Sequence, residues 1–362
     1  MRIRKERDFM SFFCEKTGEY VRTGIMKEGM DTGIDPFMAS FPELLDVGIM
    51  GHCAHGKSGL CLKAGVYCYQ DGLHSEFANM SVEDFKEIVE QCKGNTYQIA
   101  LGGCGDPDQH ECFEEILKIC KDARIVPNFT TSGLGMTEEC AKLCKEYCGA
   151  VAVSWYRSNY TIRAIQNLIN VGVKTNIHYV LSKNSIKEAI ERIKENSFPK
   201  GINAIVFLLH KPVGLGKKQD VLSLEHGEVQ EFMELISKGN VGYKIGFDSC
   251  SVPALLNYSK NIDFNSLDTC EGARWSAYIS HDMKMMPCSF DNQDLRWAVD
   301  LRKHTIQEAW NSEEFENFRN HFRLACPDCI KRELCMGGCP ICPEIVLCDK
   351  HEKTEKYNSV CG

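Results

Sequence analysis

No stretch of this sequence approaches the ~20 consecutive apolar residues of a membrane-spanning helix, so no membrane span is expected. The N-terminus is basic, but charge returns by Asp8 before any apolar run builds up, which argues against a secretory signal peptide. Positive charge is not in excess either. Lys and Arg number 42 against 50 Asp and Glu, for a formal net charge of −8, which removes the electrostatic reason to expect a nucleic-acid partner. Hydrophobic residues at 43% and charged residues at 25% are ordinary for a soluble globular chain, and 362 residues suffice for one large domain plus a small one.

The anomaly is 21 cysteines. Cysteine-dense proteins that rely on disulfides are small and secreted, and this chain fits neither description. A reduced, cytoplasmic protein with metal-bound thiolates is the simplest account. The pattern is sharpest at Cys326, Cys329, Cys335 and Cys339, spaced C-x2-C-x5-C-x3-C. Soft sulfur donors select zinc, copper(I) or iron–sulfur clusters, and a zinc ribbon also fits this spacing. Cys270 and Cys288 lie upstream; Cys342, Cys348 and Cys361 lie downstream.

A second cysteine group follows the first strong strand signal, Leu44–Met50. Cys53, Cys61 and Cys68 give C-x7-C-x6-C, three cysteines in one glycine-bearing loop. Residues 51–58 literally match G-x4-G-K-S, but a phosphate loop needs a helix directly after it. Here Gly59, two more cysteines and Gly65 follow, so a metal loop is the better reading. His52 and His55 are read as loop contacts or hydrogen-bond partners of the ligands in preference to substitute ligands.

The cysteine order resembles the SPASM domain of radical S-adenosylmethionine (SAM) enzymes, which holds two auxiliary [4Fe–4S] clusters. The central module matches that family in every spacing. The first module departs once, since Met283 stands where a glycine is expected, which predicts a differently shaped turn before Cys288. The resemblance implies that Cys270, Cys288 and Cys339 hold the first auxiliary cluster; Cys250 either closes it as fourth ligand, the preferred reading, or stays free and leaves an iron open to a substrate thiolate. It implies Cys326, Cys329 and Cys335 for the second, with Cys348 rather than Cys342 or Cys361 completing it. The loop cluster resembles the family's C-x3-C-x2-C with Gly65 at the middle position, and Tyr67 is the aromatic before its last cysteine.

The rest of the chain alternates strand and helix signals. Helices are expected over residues 81–91, 111–122, 137–148, from near 161, 185–195 and 228–237, with strands near 97–101, 125–129, 150–154, 173–180 and 204–209. Residues 9–26 read as a β-hairpin. Six βα units predict an α/β fold with parallel strands and ligands at their C-terminal ends. By resemblance this is a partial (β/α)6 radical SAM barrel over residues 44–240. A small cysteine-rich SPASM domain follows over 241–362, and a hairpin extension precedes the barrel over 1–43. The extension is too short for a winged-helix leader-binding module. Gly102, Gly103 and Asp106 correspond to the motif that holds the SAM amine, Asp106 replacing its acid. Ser132 and Ser154 are candidates for the ribose, and Arg157 or Arg163 for the carboxylate. Cys140, Cys144 and Cys148 recur every four residues on one helix face and read as a packed stripe.

The resemblance implies an enzyme with three [4Fe–4S] clusters that cleaves SAM to take hydrogen from a peptide or small-protein substrate. An electron donor such as flavodoxin or ferredoxin would feed it. Maturation of a ribosomally made peptide, through a thioether or carbon–carbon crosslink, is the first expectation. Sulfatase-maturase-like oxidation is the second; that branch keeps an acid directly after the Cys288 position, where this chain has Ser289. A non-catalytic iron–sulfur electron carrier is the third.

Overall fold

Alternation of period two builds the strands here, and periods near 3.6 build the helices. The computed structural model describes residues 1–239, 241–259, 263 and 266–348. Residue 240, the expected domain boundary, and Cys361 lie outside the described residues. Strands β1 (Arg2–Lys5), β2 (Met10–Phe13) and β3 (Tyr20–Arg22) form a small antiparallel sheet. The expected hairpin is β2–β3, and β1 adds to its other side. A two-residue pair, β4 (Met26–Lys27) and β5 (Met30–Asp31), leads to the barrel.

The barrel opens with β6 (Leu44–Met50), then two one-turn helices, α1 (Ala54–Lys57) and α2 (Leu60–Lys63), and the longer α3 (Val82–Cys92). It continues through β7 (Gln98–Gly103), α4 (Phe113–Asp122), β8 (Val126–Thr131), α5 (Glu138–Tyr147) and β9 (Val151–Ser154). Then come α6 (Asn159–Asn170), β10 (Thr175–Leu181), α7 (Ile186–Glu195), β11 (Ala204–Leu209) and α8 (Gly227–Ser237). Strands β6 to β11 pair in parallel and in chain order. The segment after α8 supplies a seventh parallel strand, β12 (Ile245–Phe247), beside β11.

Within each strand one set of side chains meets the helices and the other faces inward. On β6, Leu45, Val47 and Ile49 are fully buried, while Asp46 lies on the opposite face. On β10, Ile177 and Tyr179 are buried and His178 alternates with them. The helices answer with apolar stripes at helical spacing, such as Phe85, Ile88, Val89 and Cys92 on α3 and Ile186, Ala189, Ile190 and Ile193 on α7. Ser81 and Thr137 cap α3 and α5 by accepting from Asp84 N and Cys140 N. On α5, Cys144 is fully buried and Cys140 packs beside it against the core.

The chain's last part follows as α9 (Val252–Tyr258), β13 (Ser276–Ile279), β14 (Lys284–Met286), β15 (Val299–Asp300), α10 (Ile306–Trp310), α11 (Glu313–Leu324) and α12 (Arg332–Cys335). It does not form a separate layer. Strand β13 pairs in parallel with the free edge of β6, and β14 and β15 extend it antiparallel, giving one ten-stranded sheet. The expected change of turn shape at Met283 is corrected. Met283 adopts the left-handed backbone that a glycine would, with φ +66, and its side chain is wholly buried. Burial of a large apolar side chain offsets the roughly 1 kcal/mol that such a backbone costs a non-glycine residue. No helix among the described residues is long and apolar enough to cross a membrane.

Two buried arginines tie down the segment after Cys270. Arg274 donates to Phe37 O at 2.7 Å and Cys270 O at 3.1 Å. Arg319, from α11, donates to Ala273 O and Trp310 O, both at 2.7 Å. Burial lowers the Arg319 pKa to about 10, so it stays charged at neutral pH. A charged donor contributes about 1.5 kcal/mol per hydrogen bond. Arg319→Met, which orphans two buried carbonyls, is therefore expected to cost about 3 kcal/mol in denaturant unfolding. A loss under about 1 kcal/mol would mean that water replaces the guanidinium.

Candidate metal and cofactor site

The cysteine loop begins where β6 ends. Cys53 caps α1, and its sulfur accepts from Gly56 N at 3.0 Å. Gly59, at φ +70, breaks the helix after one turn, and α2 carries the buried Cys61. The helix that a phosphate loop needs is thus cut short, and Lys57 points to Glu76 at 3.4 Å. Cys68 follows in a turn whose carbonyl accepts from Leu215 N at 2.9 Å. A Cβ on Gly72 would lie 3.5 Å from the Cys53 sulfur and 3.6 Å from the Cys68 sulfur, so both sulfurs crowd one spot that only glycine leaves open. Burial, then the neighbouring Cys61 sulfur among other groups, pushes the Cys68 thiol up. The three expected loop cysteines therefore face one another across the gap in their spacing. Neither histidine turns to them: His52 Nδ1 bonds Phe77 O at 3.1 Å, and His55 Nε2 bonds Tyr160 Oη at 2.7 Å.

Two more cysteine sets form in the C-terminal part. Cys250, Cys270, Cys288 and Cys339 are mutual neighbours: Cys250 and Cys339 are in sulfur–sulfur contact, and burial plus the charges of Cys250 and Cys339 raise the Cys270 thiol. Burial and then Cys270 do the same to Cys288. Cys342 sits beside this set, its N–H donating to the Cys339 sulfur at 3.3 Å. In the second set, burial and the neighbouring Cys348, Cys326 and Cys329 raise Cys335 to about 11. Thiols grouped this way in a low dielectric keep their protons, because bare thiolates repel. A metal centre reverses the balance, since its ligands bind as thiolates and its cations screen them. Among the described residues no three Cys, His, Asp or Glu side chains are arranged around a single ion. A four-iron cluster asks for a different arrangement, one cysteine to each iron.

Between the loop and the first foursome lies a cavity of about 450 Å³ bounded by the inward faces of β6 and β8 to β11. Cys68, Tyr67, Ser154 and Arg157 line it, together with Phe290 from the turn after Cys288. The tilted rings of Tyr69 and Phe290 meet at 4.7 Å, and Asn292 donates to Gln70 Oε1 at 2.8 Å, so the two cysteine loops are latched together. Arg157, at φ +58, is held by Glu188 at 2.5 Å. Asp106 and Ser132 engage each other: Ser132 N and Oγ donate to its two carboxylate oxygens at 2.7 and 2.5 Å. Burial raises the Asp106 carboxyl against these bonds. Gly102 has open space where a side chain would stand. Gly103, at φ +103, packs its backbone against Met50, whose carbonyl a Cβ would meet at 2.5 Å. Arg163 stands exposed on α6 and is not among the lining residues.

Sequence reasoning missed several polar groups here. Asp46 and His178 line the cavity from β6 and β10, and Lys211 and Asp248 form a buried ion pair in its wall. Burial lowers His178 to about 4, so it is neutral, and its Nδ1 shares a hydrogen bond with Thr130 Oγ1 at 3.2 Å. Cys104 lies buried beside the loop, its thiol donating to Gln70 O at 3.4 Å. The available signal was a charged or imidazole side chain inside an otherwise apolar strand.

Asp46 has neither a hydrogen bond nor a cation among the described residues, and burial raises its carboxyl from 3.8 to about 6. A carboxyl raised on folding adds stability that is complete below its unfolded pKa and lost as pH rises through the folded value. Asp46→Asn should therefore be more stable than wild type near pH 7.5, by on the order of 2 kcal/mol. That gap should close as pH falls through 6, measured by denaturant unfolding across the range.

Residues 270–330 match the family model of SPASM, an iron–sulfur cluster-binding domain. No curated protein sequence matches the chain. Among solved structures it is similar to Streptococcus suis SuiB bound to precursor peptide SuiA, with a TM-score of 0.63 and 16% identity over 84% of this chain and 73% of that one. SuiB bound to S-adenosylmethionine gives 0.62 and 16%, over 87% and 78%. The protein anSMEcpe with bound AdoMet gives 0.61 and 18%, over 87% and 95%. Identities this low speak to the fold, and the fold agrees with the cysteine pattern. Residues 270–330 thus carry a SPASM iron–sulfur cluster-binding domain, within a chain whose fold is similar to that of SuiB and anSMEcpe.

Proposed function

We propose that this protein is a radical SAM maturase that modifies a ribosomally made peptide, installing a thioether or carbon–carbon crosslink. The observation that carries the reading is the shared cavity, which Cys68 of the first cysteine loop and Phe290 of the Cys288 turn both border. When bound, a [4Fe–4S] cluster with one open iron supplies one electron to SAM, which splits into methionine and a hydrogen-abstracting 5′-deoxyadenosyl radical. Cys53, Cys61 and Cys68 would hold that cluster. Gly102 leaves room for SAM, and Ser154 and Arg157 stand at strand ends where its polar groups would lie. Trp155, Tyr156 and Phe290 give the cavity apolar walls that keep water from a reactive substrate carbon. Cys250, Cys270, Cys288 and Cys339 would hold the nearer auxiliary cluster; Cys326, Cys329, Cys335 and Cys348 would hold the outer one. A flavodoxin- or ferredoxin-type donor in a reduced cytoplasm belongs to this reading, as does a barrel ending near residue 240.

SuiB was solved with a precursor peptide and anSMEcpe with peptides such as Cp18Cys, so a peptide substrate suits both relatives. One observation weighs against sulfatase-type oxidation. Ser289 follows Cys288, and the nearby acid, Asp291, accepts from Arg296 N and Trp297 N at 3.1 and 2.9 Å. It is committed to its turn rather than free to take a substrate proton.

Anaerobically reconstituted protein should hold about twelve irons per chain and release 5′-deoxyadenosine from SAM under dithionite. Cys61→Ala should lose about four irons and all SAM cleavage while the auxiliary clusters persist. Cleavage retained in that variant would remove Cys61 from the ligand set. Eight irons and no cleavage in wild type would favour the electron-carrier alternative. Cys250→Ala should change the electron paramagnetic resonance (EPR) spectrum of one auxiliary cluster or lower the iron content, whereas an unaltered spectrum with full iron would make Cys250 a bystander.

A further inference from the structure

Two ion pairs of different character involve residues of the cavity wall. Arg157 lines it and pairs with Glu188, each about a quarter exposed at its side chain. Lys211 and Asp248 lie deeper, and Lys211 is only 8% exposed. They meet because each follows one of two parallel neighbours: Lys211 comes two residues after β11, and Asp248 directly after β12. A buried ion pair is weak evidence for stability, since desolvating both charges offsets most of their attraction. The surroundings of this pair point elsewhere.

The Asp248 carboxylate is already held by two other donors, Leu209 N at 3.1 Å and Ser251 Oγ at 2.7 Å. The ammonium of Lys211, bonded to Asp248, also reaches toward the turn after Cys288. Its Nζ lies 4.8 Å from the ring centroid of Phe290, two residues after Cys288. It also acts on the sulfurs of Cys250 and Cys339. One buried positive charge thus stands in the cavity wall near Cys250 and Cys339 and against the ring of Phe290.

We propose that Lys211 sets the reduction potential of the iron–sulfur cluster held by Cys250, Cys270, Cys288 and Cys339, favouring its acceptance of an electron from the cavity side. This rests on that foursome being a cluster site. The redox change is one electron onto the cluster, from dithionite in the test, and no proton moves because Lys211 is protonated before and after. The added negative charge is stabilised by a cation that the fold has already desolvated and oriented, so no reorganisation accompanies the transfer. Lys211 is a positioning residue here, acting through the cysteine sulfurs, and it makes no bond to iron.

The test is a dithionite titration followed by EPR on the reconstituted full-length protein, with iron counted for every variant. Lys211→Met should move one auxiliary potential to a more negative value and leave the other clusters where they are. Lys211→Arg should restore it. Asp248→Asn, which removes the counter-charge, should move the same potential the opposite way. Unmoved potentials in Lys211→Met at full iron overturn the proposal. If that variant loses iron, Asp248→Asn decides: a shift to a more positive value supports the role, and no shift overturns it. Wild-type protein lacking this cluster's signal would sink the cluster reading itself, and the proposal with it.

Discussion

The parallel pairing of β13 with the free edge of β6 is the constraint on which the site depends. Ser276 to Ile279 register against Leu44 to Val47, so Tyr278 stands beside Asp46. Cys270 and Cys288 flank the hairpin that β13 begins, and this one ladder ties both to the edge of β6, with Phe290 reaching the cavity. Had the C-terminal part folded as a free-standing metal knob, its cysteines could still have met one another, but not the barrel. Backbone hydrogen bonds in a sheet interior leave little freedom of register when one face is buried, and that is how a distant sequence segment is held at a fixed distance from the first cysteine loop.

The second organising element is the latch between the two loops. Tyr69 follows Cys68 directly, and Phe290 comes two residues after Cys288; their rings meet at 4.7 Å. The Gln70–Asn292 hydrogen bond repeats the contact in polar form. Each loop by itself is short of regular structure and would be mobile. Together they close the cavity on one side and hold its polar contents, Asp46, His178 and the Lys211–Asp248 pair, away from solvent. Burial then governs their chemistry: it keeps His178 neutral, pushes Asp46 toward neutrality, and makes the charge of Lys211 matter over a longer range than it would in water.

Cysteine usage divides along the same line. Eleven thiols gather in three groups where their proximity carries a cost that a metal centre removes. Others, such as Cys92, Cys120 and Cys144, are fully buried among apolar neighbours and behave as small hydrophobes. Spacing separates the two kinds only partly. The Cys140–Cys144–Cys148 repeat is as regular as a ligand motif, yet it follows one helix face and packs inward.

The sequence by itself determined the order of strands and helices, because alternation of apolar residues follows directly from backbone geometry and burial. It also determined the central cysteine module, because short ligand spacings are local. It did not reveal β12, whose three residues are too few for a periodic signal, or the backbone at Met283, where the packing of a buried side chain outweighs a local preference for glycine. Only the tertiary structure decided that Cys250 joins Cys339 and that Asp46, Lys211 and Asp248 share one cavity. These residues lie far apart in the chain. What brings them together is strand register, a non-local interaction between segments that no local pattern encodes.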